Sequence, residues 1–256
     1  MTSDSAFAGK RVLITGATQG IGLATAQRLI QSGAHLFVND INEDRLASAL
    51  GFLPSTSRQV GGMAGSVAKT ADCRTLVAAA AAHMDGIDIL INCAGVYRQG
   101  PADSFDEDEW DDTLGVNLKG TFFMSKYALP HLKKRRGNII NLASEAGLRG
   151  ARMSAVYCAS KGGVVLLTKA MALEYAPDVR INCVCPGAVN TPMMTNVAKA
   201  SGDAESYMAA LPLHYPLQRI AEPDEIAKAI CYLASDDACN MTGTALAIDG
   251  GSTAGV

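Results

Sequence analysis

The segment Thr15-Gly16-Ala17-Thr18-Gln19-Gly20-Ile21-Gly22 joins a short apolar run, Arg11–Thr15, to a stretch of helical apolar spacing that carries Ile21, Ala24 and Leu29 and stops at Gly33. A strand that passes through a glycine-rich turn straight into a helix leaves few folds open. The glycines allow a tight turn and a close approach of another group to the backbone. The helix start behind them presents free N–H groups and the positive end of the helix dipole, a setting that suits a phosphate. The spacing is Gly-x-x-x-Gly-x-Gly with no Gly-Lys-Ser/Thr, which disfavours a P-loop kinase or ATPase. Such a turn also occurs without any ligand, so the remainder of the chain decides its meaning.

The remainder repeats the strand–helix unit. Apolar runs at His35–Asn39, Val60–Ala64, Ile87–Ile91, Asn138–Leu142, Val179–Val184 and Ala245–Ile248 predict six further strands. Helical patterns fall between them at Asp44–Gly51, Ala71–His83, Asp106–Lys134 (long, and bent), Ser154–Tyr175 and Pro223–Ala234, the last able to start at its proline. The runs are short and continuously apolar, as in parallel strands covered on both faces. Regular alternation predicts one α/β domain over residues 1–256, a doubly wound seven-stranded parallel sheet with helices on both faces. The least regular segment, 188–216, contains Met193, Met194 and Met208 and reads as a substrate loop or lid.

Bulk properties narrow the function classes. A net charge of −3 argues against general nucleic-acid or anionic-membrane binding. The basic block Lys133-Lys134-Arg135-Arg136 reads as a solvated helix C-terminus. The seven cysteines form no Cys-x-x-Cys pair and the four histidines lack ligand spacing, so neither a disulfide framework nor a metal site is indicated, and reduced thiols in a cytoplasmic protein are expected. The stretch Met1–Lys10 has no apolar signal core, and no uninterrupted apolar run is long enough to span a bilayer.

Two further features carry chemistry. Asp40 ends the second predicted strand, at the offset where an acid can accept both hydroxyls of a ribose and repel a 2′-phosphate. Gln19 and Asn39 are neutral and recruit no such phosphate, so NAD(H) is favoured over NADP(H); a helix N-cap is the bland reading of Asp40. Tyr157 and Lys161 lie four apart, on one helix face. A lysine charge beside a phenol favours phenolate and makes it a proton donor and acceptor near neutrality. Ser144 can supply a hydroxyl that holds a substrate oxygen.

Together these residues resemble the short-chain dehydrogenase/reductase family over about Lys10 to Ser252, through Thr15-Gly16-x-x-x-Gly20-x-Gly22, Asn92-Cys93-Ala94-Gly95, Asn117, Ser144, Tyr157-x-x-x-Lys161, and Pro186-Gly187 with Thr191. The resemblance implies a Rossmann-type fold and a catalytic set of Asn117, Ser144, Tyr157 and Lys161. In it Tyr157 is the acid/base, Lys161 lowers its pKa and bonds the nicotinamide ribose, Ser144 positions the substrate oxygen, and Asn117 holds a water of the proton relay. It implies NAD binding by Gly16, Thr18, Gln19, Gly20, Ile21, Gly22, Asp40, Ile41, Ser66, Val67, Asn92, Ala94, Gly95, Pro186, Gly187, Val189 and Thr191, with Tyr157 and Lys161. Two positions depart from the pattern: Cys93 stands in the usual Asn-Asn-Ala-Gly, where it acts as a small hydrophobe, and Ser66 replaces an aspartate expected against the adenine amino group.

The implied reaction is reversible hydride transfer between nicotinamide C4 and a carbinol or carbonyl carbon. Ser144, Glu145, Ala146, Val96, Tyr97, Arg149, Met153, Gly187 and Met194 are expected to line the substrate pocket. Arg149 and Arg152 can bind an anion, and Glu145 and Asn190 suit sugar or polyol hydroxyls. A small secondary alcohol, polyol or sugar is therefore expected. A 3-oxoacyl carrier-protein reductase is the alternative enzyme, and a non-catalytic dinucleotide-sensing regulator the alternative of another class. Apolar residues on several faces of the helices Asp106–Lys134 and Ser154–Tyr175 point to a homotetramer.

Overall fold

Each of the seven apolar runs forms a strand at or within two or three residues of its expected place: β1 Arg11–Thr15, β2 His35–Asp40, β3 Val60–Ala64, β4 Ile89–Asn92, β5 Asn138–Leu142, β6 Arg180–Pro186 and β7 Ala245–Ile248. The computed structural model describes residues 6–53 and 59–255, so the first half of the Met1–Lys10 stretch lies outside the described residues. The strands pair in parallel in the order β3-β2-β1-β4-β5-β6-β7. The continuous apolar runs follow from burial on both faces. On β1, Val12 and Ile14 enter one core layer and Leu13 the other; Ile89 and Ile91 against Leu90 repeat the split on β4.

Helices α1 (Gly20–Gln31), α2 (Glu43–Phe52) and α9 (Pro223–Ala234) lie with the first layer through Leu29, Leu46 and Ile226. Helices α3 (Thr70–Met84), α5 (Thr121–Arg135) and α6 (Ala155–Tyr175) close the second through Leu76, Met124 and Met171. The basic block occupies the last turn of α5 and its left-handed cap at Arg136, as expected. Strand order reverses between β1 and β4, and a crevice opens at their C-terminal ends. There the two chains nearly touch: a Cβ on Gly16 would lie 2.8 Å from Ala94 Cα.

One expectation is refined and one corrected. The helix expected over Asp106–Lys134 is α4 (Glu107–Leu114), a π-helical segment at Gly115–Gly120, and α5. The wider turn carries Asn117, and Gly120 lets it approach Val67, whose Cγ2 would be 2.9 Å from an added Cβ. The segment 188–216 is not irregular. It holds α7 (Pro192–Ala200), α8 (Ala204–Ala210) and a 3₁₀ turn, Leu211–His214. Thr191 and Asp203 cap the two helices by accepting from Met194 N–H at 3.4 Å and Ser206 N–H at 3.0 Å. Helices of nine and seven residues are too short to show periodicity, so caps were the only readable signal.

Helix α6 has 21 residues and is long and apolar enough by composition to cross a membrane. Its buried face holds Lys161, Val164, Val165, Thr168 and Met171 against the rest of the domain.

Candidate active site

The crevice is a cleft of about 1000 Å³ that runs from Asp40 and Ser66 at one end to Ser144, Tyr97 and His214 at the other. Gly16, Gln19, Gly20, Ile21 and Gly22 line it where β1 turns into α1. Gly16 and Gly20 have φ of 63° and 51°, conformations that side chains disfavour. Gly22 sits against the turn so closely that a Cβ would lie 2.1 Å from Gly16 O. The N-cap residue Gln19 makes no side-chain cap, so the first N–H groups of α1 are left for whatever occupies the cleft. An uncapped helix start at a bare-backbone turn fits a pyrophosphate.

Asp40 lines the same end, with its side chain only 7% exposed. It accepts from Thr18 Oγ1, from Asn42 N–H at 2.9 Å and from Arg45 Nη2 at 2.7 Å. Burial pushes its carboxyl up, but these three donors outweigh that and hold it below the usual range, so it is ionised at neutral pH. The N-cap of α2 is Asn42, not Asp40. Arg45, half-exposed and lining the cleft, is a cation that the sequence reading did not place beside this ribose position. Its signal was available, five residues after Asp40 in the first turns of a helix.

The expected cofactor residues divide. Ile41, Ser66, Val67, Ala94, Gly95, Pro186, Gly187, Val189 and Thr191 line the cleft. Thr18 and Asn92 do not. Thr18 serves the cleft indirectly through Asp40. Asn92, the last residue of β4, is buried, and its amide donates to Asn141 Oδ1 at 2.9 Å and Ser125 Oγ at 3.1 Å, tying β4 to β5 and α5. Cys93 lines the cleft as a thiol, since burial pushes its pKa to about 12. Ser66 places its side chain at the cleft, and its N–H donates to Asp72 at 3.0 Å.

At the other end Ser144, Tyr157 and Lys161 meet, although Ser144 ends one strand loop and the other two lie on α6. Ser144 Oγ accepts from Ala146 N–H at 3.2 Å and so holds a 3₁₀ turn, Glu145–Gly147. Lys161 Nζ donates to Leu142 O at 2.7 Å and stands 5.7 Å from the centre of the Tyr157 ring. Asn117 is buried: its Oδ1 accepts from Val96 N–H at 2.9 Å and its amide donates to Val96 O and Ser160 Oγ, both at 3.0 Å. Asn117 therefore shapes the Gly95–Val96 wall of the cleft from behind.

The electrostatics correct one expectation. Burial raises the Tyr157 phenol well above its ordinary value, and the Ser144 hydroxyl pulls it only partly back. Burial lowers Lys161 to about 8. The ammonium donates to Leu142 O and lies over the ring, and burial outweighs the Ser144 hydroxyl, so the phenol is not acidic in the protein alone. At neutral pH Tyr157 is a protonated donor.

The substrate end is lined by Val96, Tyr97, Glu145, Ala146, Arg149, Gly187 and Met194 as expected, and also by Arg152, Ser154, Met193, Tyr207, His214 and Tyr215. Met153 is not there: it sits in a turn at φ 59° with its side chain exposed. Tyr97 packs on Tyr157 with ring centres 4.6 Å apart and shares a 2.9 Å hydrogen bond with Ser154. Asn190 lies outside this wall and donates to Glu222 at 3.1 Å. Among the described residues no cluster of three His, Cys, Asp or Glu is placed to hold a metal ion.

A dinucleotide cleft at a topological switch point, ending at a serine, a tyrosine and a lysine, defines a nucleotide-linked oxidoreductase. The profile of the family described as enoyl-(acyl carrier protein) reductase matches residues 16–253. The chain is 38% identical to the meso-2,3-butanediol dehydrogenase of Serratia marcescens over 97% of its length and 96% of that protein's. It is 36% identical to 2-(S)-hydroxypropyl-CoM dehydrogenase 3 of Xanthobacter autotrophicus, over 95% and 96% of the two chains. A crystal structure of a short-chain dehydrogenase/reductase, glucose/ribitol dehydrogenase, from Brucella melitensis superposes with a TM-score of 0.90 at 34% identity, covering 97% of this chain and 98% of that one. The protein belongs to the short-chain dehydrogenase/reductase family, whose cofactor is NAD(H) or NADP(H).

Proposed function

We propose that the protein is an NAD-dependent dehydrogenase of a small secondary alcohol, polyol or sugar, or equally the reductase of the corresponding ketone. One observation carries this: Ser144, Tyr157 and Lys161 line the far end of the same cleft that begins at an uncapped helix start and an ionised Asp40. The butanediol and hydroxypropyl relatives are alcohol dehydrogenases by name, which supports an alcohol substrate. Asp40 supports NAD, because its carboxylate opposes a 2′-phosphate, while Arg45 offsets part of that charge.

Bound nicotinamide supplies the hydride acceptor or donor. Tyr157 holds its proton at neutral pH and so donates it to a substrate oxygen that gains charge during reduction. Ser144 shares that oxygen, and its hydroxyl also stabilises the phenolate left behind. Lys161, mostly protonated below about pH 8, opposes the phenolate charge across the ring. In oxidation the same groups act in reverse, with Tyr157 taking the hydroxyl proton. Asn117 holds the Val96 wall beside them.

The reading is tested by a turnover screen with NAD⁺ and NADP⁺ over secondary alcohols, polyols, sugars and hydroxy acids, with 3-oxoacyl thioesters as the contrasting arm. Turnover of the alcohols with NAD⁺ supports it; turnover of long acyl thioesters alone rejects it, and dinucleotide binding without any turnover favours a regulator. The seven cysteines are all free, which supports a reducing, cytoplasmic setting. Trp110, Leu118, Phe122 and Leu167 line a shallow apolar groove and Leu166 and Leu173 are exposed on α6, which supports assembly through α4–α6 into a homotetramer. Sedimentation of a monomer at micromolar concentration rejects that assembly.

A further inference from the structure

Glu145 was expected to greet substrate hydroxyls, yet its carboxylate is already engaged by three donors, two of them from distant parts of the chain. Tyr215 Oη donates to Oε1 at 3.0 Å, while Ser252 Oγ and Arg149 Nη2 (the latter at 3.3 Å) donate to Oε2. A carboxylate has about four acceptor positions, so little of its capacity is left for a ligand. The phenol that donates to Glu145 also accepts from Ala188 N–H at 2.9 Å. Ala188 and Tyr215 are the two ends of the segment that carries α7 and α8 over the substrate end. One hydroxyl therefore ties both ends together and fastens them to the residue next to Ser144.

The packing around this bond leaves no slack. A Cβ on Gly187 would lie 2.8 Å from Tyr215 Cε1 and 3.1 Å from Asp249 Cα. Asp249 in turn accepts from Gly251 N–H and Thr253 N–H, each at 3.0 Å, which shapes the turn that brings Ser252 to Glu145. Tyr215 and Glu145 are largely buried, 7% exposed for the tyrosine and 16% for the glutamate side chain, so solvent does not readily replace these bonds.

We infer that Glu145 is a positioning residue: through Tyr215 it clamps both ends of residues 188–215, and through Ser252 the C-terminal turn, to the turn that aims Ser144. Closure of the substrate end and placement of the serine are then one event. This rests on the dehydrogenase reading for its kinetic part alone.

The test compares Tyr215→Phe, Ser252→Ala, Glu145→Gln and the Tyr215→Phe/Glu145→Gln double variant in the full chain. Amide hydrogen exchange over residues 186–216 is followed, along with kcat, KM and NADH affinity by fluorescence. Loss of one buried hydrogen bond should speed exchange at Ala188 and across α7–α8 by about tenfold in Tyr215→Phe. A displaced serine should lower kcat by roughly tenfold or more. NADH affinity should fall less than kcat, since the contacts at the glycine turn are untouched and only those near Val189 and Thr191 loosen, and the double variant should be no worse than its poorer parent. Unchanged exchange in Tyr215→Phe overturns the clamp. So does a Glu145→Gln effect confined to substrate KM with exchange as in the wild type, which makes Glu145 a substrate ligand. If Glu145→Gln does not fold, Tyr215→Phe and Ser252→Ala carry the decision. If the wild type turns over no alcohol, the dehydrogenase reading fails while the exchange experiment still decides the clamp.

Discussion

The two ends of the cleft are built in different ways. The dinucleotide end uses backbone: two left-handed glycines, a third that admits no Cβ, and a helix start without a cap. The substrate end uses side chains drawn from β5, β6, α6, the α7–α8 segment and the C-terminal turn, held by Glu145, Tyr215 and Ser252. Backbone geometry is encoded within eight consecutive residues, whereas the other end depends on partners 70 and 107 residues apart. The first end is therefore specified locally and suits a cofactor that a whole family shares. The second can change with a few substitutions and suits a substrate that differs between members.

The sharpest way to separate the ends is Tyr157→Phe. It should lower turnover by about 10³-fold while NADH still binds, because it removes a proton and leaves the glycine turn alone; near-normal turnover in a fluorescence-verified NADH binder would remove the tyrosine from its role. Gly22→Ala should do the opposite. Its methyl meets Gly16 O, so the turn must shift, and dinucleotide affinity measured by calorimetry should fall by roughly 100-fold. An affinity within threefold of wild type would show that the turn has slack.

Lys161 links the ends, and its effect is pH-dependent. Its folded pKa of about 8 lies below the ordinary 10.5, so between those values the unfolded chain binds the extra proton and stability rises with pH. Below about pH 8 both states carry the charge and its burial costs on the order of 1–3 kcal/mol. Lys161→Met should accordingly be more stable than wild type at pH 7, by denaturant titration, and lose that advantage by pH 10.5. An advantage that does not change with pH would show that burial does not depress this lysine.

The smallest effect belongs to cofactor choice. Asp40→Asn leaves Arg45 unopposed and should raise affinity for NADPH by about tenfold, a change of 1.4 kcal/mol. Arg45→Gln should lower it by less. Fluorescence titration with NADH and NADPH reads both, and an unchanged NADPH/NADH ratio in Asp40→Asn would show that discrimination lies elsewhere.

Legibility follows the same division. Strands β1 to β7 and helices such as α1, α6 and α9 were readable because burial on one or two faces imposes a pattern on adjacent residues. Tyr157 and Lys161 were readable as a helical pair. That the phenol would be raised and the lysine lowered was not, because desolvation depends on what covers them. Met153 was expected to line the pocket, but it precedes α6 in a left-handed turn with its side chain exposed, a placement set by local backbone geometry.

By itself the order of residues determined a doubly wound sheet, a glycine-rich turn into the first helix and a tyrosine–lysine pair on one helix face, since each depends on spacing within one or two elements. Only the tertiary structure decided that Asn92 and Asn117 work from behind the wall, and that Glu145 is engaged by the chain itself. Those outcomes are contacts between segments far apart in sequence. A carboxylate or amide takes its role from whichever donors folding brings within about 3 Å.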